Sequence, residues 1–223
     1  MKKLLLSLCL CSALLLTGCF QIIEEINLRA DGSGTATLTI NLSQSRSKVA
    51  SLMLLDSVNG YKVPSQQKIR QEMAEAAAFL KQSPGISNVK SSTDFNNYIA
   101  TISFGFRNVA NISNLSKTIL NRMKIRSSDQ SSYSFNTSLL QFKRNYQHIT
   151  SARTEYAKLK SEDKAIFKDA TYTAIYRFEQ QVASVSNRQA AISRSGKAVM
   201  LRSNILALID GKTNISNTVQ LKK

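Results

Sequence analysis

The stretch that decides the fold is Ile26-Asn27-Leu28-Arg29-Ala30-Asp31-Gly32-Ser33-Gly34-Thr35-Ala36-Thr37-Leu38-Thr39-Ile40-Asn41-Leu42. On either side of its centre, apolar and polar residues alternate, which is the spacing of a strand with one buried face. Between the two arms lie Asp31, Gly32, Ser33 and Gly34, where the glycines permit the positive φ that a tight turn needs. The expectation is a hairpin buried on one side.

Downstream, strand and helix spacings alternate irregularly. Residues 46–58 fit a short helix or an apolar flap, with Val49, Leu52, Met53 and Leu55 as its apolar side. Residues 65–81 make a clearer helix, with Ile69, Met73, Ala76, Ala77 and Leu80 on one stripe and Ser83-Pro84-Gly85 to end it. Strand spacing returns around Val89, over 98–106 and over 133–142; helical spacing returns over 111–124 and 151–169. The last fifty residues read as an antiparallel meander, in which 182–185 pairs with 172–178 and 215–221 is the final strand. The fold class is therefore α+β, with a curved antiparallel sheet, an N-terminal hairpin and about three helices. One domain over 26–223 accounts for the pattern.

Upstream of the hairpin, Lys2 and Lys3 precede an apolar run from Leu4 to Leu16, the pattern of a secretory signal peptide over residues 1–18. The run is shorter than the ~20 residues that cross a bilayer. It ends in Leu16-Thr17-Gly18-Cys19, the order of a lipoprotein cleavage box. Cleavage there would leave Cys19 to carry lipid and residues 19–25 as its tether. Several acyl chains anchor durably where one does not. An ordinary cleaved signal followed by a chance cysteine is the competing explanation. Cys9 and Cys11 fall inside the removed segment, so the mature domain would hold no thiol for a disulfide, a metal or a nucleophile.

Charge is distributed unevenly. The chain has 30 Lys plus Arg against 14 Asp plus Glu. From Cys19 to Ser65 the two signs balance, and the excess lies beyond. A basic body fits an anionic headgroup surface, or a solvated exterior with no specific partner. Export and the dispersal of the basic residues argue against nucleic acid.

Catalytic patterns are not found. His148 stands alone, without companions for a zinc site. Glu24-Glu25, Glu72 with Glu75, and Glu162-Asp163 are the close acidic pairs, and the helical one sits near Lys68 on what reads as a solvated face. No glycine-rich phosphate loop opens a helix. Neither enzyme activity, metal nor cofactor is expected. Phe104, Phe106, Phe135, Tyr172, Tyr176 and Phe178 could line a lipid cavity or fill a core; the Val49–Leu55 segment could touch a membrane, act as a lid, or be a core helix.

Two regions carry a family resemblance. The opening Ile26–Leu42 with Asp31-Gly32-Ser33-Gly34 resembles the first hairpin of LppM-type lipoproteins. So does the closing part, where Val182-Ala183-Ser184-Val185-Ser186-Asn187 precedes Ser195-Gly196-Lys197 and an alternating Ala198–Leu201. Departures include Gln181, near which a proline or glycine is expected, and Met200 or Leu201 in place of an aromatic. The resemblance implies an α+β envelope domain for which lipid or glycolipid binding has been proposed, and it brings no catalytic residues. The resulting expectation is an anchored, non-catalytic lipoprotein that binds anionic lipid, glycolipid or another envelope component. A scaffolding subunit that binds an envelope protein is the alternative. Phe20 after the cysteine, in place of a retaining aspartate, favours the outer membrane, facing the periplasm or the cell surface.

Overall fold

The computed structural model describes residues 20–58, 60–113, 115, 132–148, 150–164 and 167–223. The signal segment, the cleavage box, Cys19 and most of the helix expected over 111–124 lie outside them.

Strands β1 (Gln21–Leu28) and β2 (Gly34–Asn41) form the expected hairpin, in register from Gln21 opposite Asn41 to Leu28 opposite Gly34, but its apolar face is buried only toward the turn, and Leu38 and Ile40 are exposed. The connection is closed by Arg29 N–H donating to the Ser33 carbonyl at 2.8 Å. Gly32 takes φ +84°, and the Ser33 amide and hydroxyl both donate to Asp31 Oδ1. Gly34 is required for a different reason: a Cβ there would collide with the Asn27 carbonyl oxygen and stand 2.7 Å from the Phe106 ring.

β1 begins at Gln21, so residues 21–25 are strand and not tether. The inward positions run Ile22, Glu24, Ile26, Leu28. A carboxylate in that series interrupts the alternation by which the sequence reveals a strand.

β1 and β2 lie within a seven-stranded sheet ordered β11-β12-β9-β1-β2-β6-β5. The other strands are β5 (Ile86–Asp94), β6 (Ile99–Phe106), β9 (Thr171–Phe178), β11 (Ala191–Ile192) and β12 (Ala198–Asn204). Every pairing is antiparallel except β1 with β9. A four-stranded antiparallel sheet, β10 (Val182–Val185), β13 (Asn217–Leu221), β8 (Gln141–Asn145) and β7 (Ser132–Asn136), covers part of its inner face.

Helix α2 (Gln66–Gln82) packs on the same core through Ala77 and Leu80. It begins where predicted, at an N-cap in which the Ser65 hydroxyl accepts the Lys68 amide. Ile26, Leu28, Phe104, Phe106, Tyr176, Phe178 and Val199 from the large sheet meet Tyr133, Phe142, Val219 and Leu221 from the small one. Each such side chain contributes roughly 1.5–3 kcal/mol of burial.

Before α2, the chain makes an excursion through α1 (Arg46–Leu52) and a two-residue hairpin of β3 (Ser57–Val58) with β4 (Tyr61–Lys62). The other α-helices whose bounds fall within the described residues are α3 (Thr150–Lys158), α4 (Ser161–Lys164) and α5 (Ile205–Ile209).

Four expectations need correction. The run 133–142 is a hairpin and not one strand: Asn136 Oδ1 accepts the Leu139 amide and Leu140 turns at φ +50°. Polar turn residues there fall at positions that alternation also allows. The helix expected over 151–169 is instead two short ones, α3 and α4, because few apolar side chains along it reach the core and helices depend on such packing. The C-terminal strands do not form one meander. β9 lies between β1 and β12, while β10 crosses to the small sheet and pairs with β13 and not with β9. Periodicity encodes which face a strand buries, not which strand it pairs with. Among the described residues α2 is the one long helix, and α1, α3, α4 and α5 are shorter.

Candidate functional site

Two features stand out: a buried charge cluster between the sheets and an open groove on the outer face of the large one. The cluster is built on Glu24 of β1. Its register neighbours on β9 place Tyr172 and Tyr176 on the same face, and the small sheet contributes Tyr133 from β7 and Arg144 from β8. The Tyr133 hydroxyl donates to the Glu24 carboxylate, 2.9 Å from either oxygen, and Tyr172 donates to Oε2 at 2.8 Å. Arg144 Nη1 lies 3.3 Å from Glu24 Oε1, 2.6 Å from the Tyr172 oxygen and 2.8 Å from that of Tyr176. The guanidinium also sits over the rings of Tyr133 and Tyr172, at 5.4 and 5.2 Å from their centroids.

Burial raises the three hydroxyls well above tyrosine's ordinary 10.0; Arg144 opposes the rise and Glu24 adds to it. Burial also works against the charge on Arg144, but Glu24 and the phenols outweigh it and hold the guanidinium above its ordinary range. The phenols therefore stay protonated and act as hydrogen-bond donors, not as acids or bases. The cluster ties the two sheets together. It leaves one cost: Arg144 Nε and, across the strand pair, Asn217 Nδ2 are buried without partners among the described residues.

The groove is open to solvent. Ile175 of β9, Ala198 and Met200 of β12, and Ala191 and Ile192 of β11 form its apolar floor over about 690 Å³. Arg177, Arg194 and Lys197 stand along it. Arg177 is paired with Glu25 at 2.9 Å, whereas Arg194 and Lys197 have no carboxylate partner among the described residues. Met200 and Ile192 are 45% and 43% exposed, so the floor presents apolar surface to solvent. β11 closes the side of the groove through its pairing with β12, and the 193–197 turn caps it around Gly196 at φ +69°.

No protein-family model matches the chain, and no curated protein does. A solved mycobacterial domain aligns with the chain. This is the folded domain of the LppM protein of Mycobacterium tuberculosis, determined by NMR, which aligns over 92% of this chain and 91% of its own at 12% identity and a TM-score of 0.46.

The residues singled out from sequence fall as follows. The six aromatics weighed as cavity or core belong to one packed cluster: Phe104, Phe106, Tyr176 and Phe178 are buried, and Phe135 and Tyr172 pack against them. His148 holds the end of α5, its Nε2–H donating to the Ile209 carbonyl at 2.9 Å with the ring against Gly211. Glu72 pairs with Lys68 on the exposed face of α2, and Glu75 accepts from Gln71. Val49, Leu52 and Met53 are half-buried along α1, while Leu54 and Leu55 are exposed. Cys19 and Leu16-Thr17-Gly18 lie outside the described residues.

Sequence reasoning missed the buried cluster, although a signal for it existed. In Ile22-x-Glu24-x-Ile26-x-Leu28 and in Phe142-x-Arg144, a charge occupies the apolar register of a strand. Two opposite charges so placed are candidates to meet in the core.

Proposed function

We propose that the chain is a non-catalytic lipoprotein of the cell envelope, anchored through Cys19, whose folded domain holds an anionic amphiphile such as a lipid or glycolipid. The outer membrane is its site where the cell has one. The observation that carries this reading is the outer-face groove. Its floor of Ile175, Ile192, Ala198 and Met200 suits an acyl chain, and Arg194 and Lys197 suit an anionic headgroup.

The position of the groove adds to the case. β1 starts at Gln21, two residues after the proposed anchor position Cys19, opposite Thr171 of β9. The groove lies at the other end of β9, around Arg177 and Ala198. Six residues of strand span about 20 Å. A ligand in the groove would thus be held away from the bilayer that carries the anchor.

The test is native mass spectrometry of the full chain, extracted from envelopes in mild detergent. The expected result is an anionic lipid bound at fixed stoichiometry and lost from the Arg194→Glu, Lys197→Glu double variant with no change in melting temperature. An empty groove in both proteins would overturn lipid binding and favour the scaffolding alternative, in which Met200 and Ile192 meet an envelope protein.

A further inference from the structure

The position of Cys19 relative to β1 constrains how the domain meets a membrane. Gln21 is already hydrogen-bonded strand, and the Phe20 carbonyl accepts the Thr171 amide at 3.0 Å. One residue therefore separates the lipidation position from the ordered sheet. At ~3.3 Å per residue, the sheet end lies within about 7 Å of the anchor. No linker intervenes, so whatever else projects from that end must face the headgroups.

The excursion through residues 43–63 projects from that end. It leaves β2 after Asn41, the register partner of Gln21. It returns at Ser65, where α2 begins, and α2 also starts at the anchor end: Arg70 stacks on Phe95, 4.9 Å from the ring centroid, in the β5–β6 turn beyond Asp94. Asp94 pairs with Ile99, and Ile99 with Asn41. From there α2 runs to Gly85 and Ile86, beside Phe106 and Gly34, at the opposite end. Both stems of the excursion are thus rooted beside the anchor position.

The tip of the excursion is apolar and uncovered. Leu54 is 87% exposed and Leu55 50%. The excursion carries Arg46, Lys48 and Lys62, all exposed, against a single acidic residue, Asp56. Exposed apolar side chains on a segment with a net positive charge match the boundary between acyl chains and anionic headgroups.

We infer that the Leu54–Leu55 tip is a second bilayer contact, which dips into the leaflet that carries the anchor and fixes the domain upright on it. This rests on the proposed lipidation of Cys19. It does not require a lipid in the groove, which lies at the other end of the sheet.

The test uses the full, processed chain reconstituted into phosphatidylglycerol vesicles, with an environment-sensitive fluorophore on Leu54→Cys or, as control, on Leu139→Cys. Leu139 is also exposed, at 61%, but follows Phe135, which packs against Gly32 at the far end. With acyl-brominated lipid, the Leu54 probe is expected to shift to the blue and lose most of its emission, while the Leu139 probe keeps its own. Replacing phosphatidylglycerol by phosphatidylcholine should reduce the quenching at Leu54. Vesicle flotation and the intact mass of the chain report the anchor separately. Floating, lipid-modified protein with equal quenching at both positions overturns the tip contact alone. Protein that carries no lipid and does not float overturns the anchored reading and the contact together.

Discussion

Arg144 carries a charge into the space between two sheets, and only the groups around it make that tolerable. Its side chain is 4% exposed and that of Glu24 is 19%. Removing one member of such a pair leaves the other buried without compensation, which costs about 3–5 kcal/mol. Arg144→Met is therefore expected to lower the stability of the detergent-solubilised chain by that amount in urea unfolding. Glu24→Gln combined with Arg144→Met should cost less than the sum of the two single changes, because the residues are coupled. Additive losses would show that the cluster is not one unit. At this scale the sequence was half legible. Each charge visibly occupies an apolar register, but that Glu24 meets Arg144, 120 residues away, follows only from how the sheets stack.

At the scale of elements, the hairpin and α2 form where their local chemistry is strongest. Gly34 shows the kind of constraint that is invisible locally. Its alternation with Thr35 and Ala36 marks a strand, yet it must be glycine because the Asn27 carbonyl and the Phe106 ring fill the space a Cβ would take. Gly34→Ala is expected to cost more than about 2 kcal/mol, as a core overpacking does. Gly60→Ala has no neighbour within 4 Å and meets only the strain of φ +85°, about 1 kcal/mol. Thermal melts of the two variants would rank them, and equal losses would refute the steric argument. The elements misjudged from sequence, the 133–142 run and the 151–169 helix, are those where turn residues fit the alternation or where little burial selects one conformation.

For the whole molecule, the cluster makes stability depend on alkaline pH. The folded chain keeps protons on Tyr133, Tyr172 and Tyr176 above tyrosine's ordinary 10.0, where the unfolded chain releases them. The unfolded state then binds fewer protons, so unfolding becomes easier as pH rises. Stability from this source should be complete below pH 10 and fall progressively above it. Urea midpoints at neutral and alkaline pH, read beside tyrosinate absorbance, would check this; midpoints flat through pH 11 would refute it. The same two-sheet arrangement sets what faces where, with Gln21 and the excursion that holds Leu54 and Leu55 at one end and the groove near the other.

The amino-acid sequence by itself determined the α+β class, the first hairpin, the extent of α2 and the expectation of an anchor at Cys19, because each rests on contacts between residues close in the chain. Only the tertiary structure decided the parallel pairing of β1 with β9, the division of the C-terminal strands between two sheets, the burial of Glu24 with Arg144 and the groove beside Met200. Those depend on which faces and edges meet over long separations, and a periodicity of two fixes a strand's face but leaves its partner open.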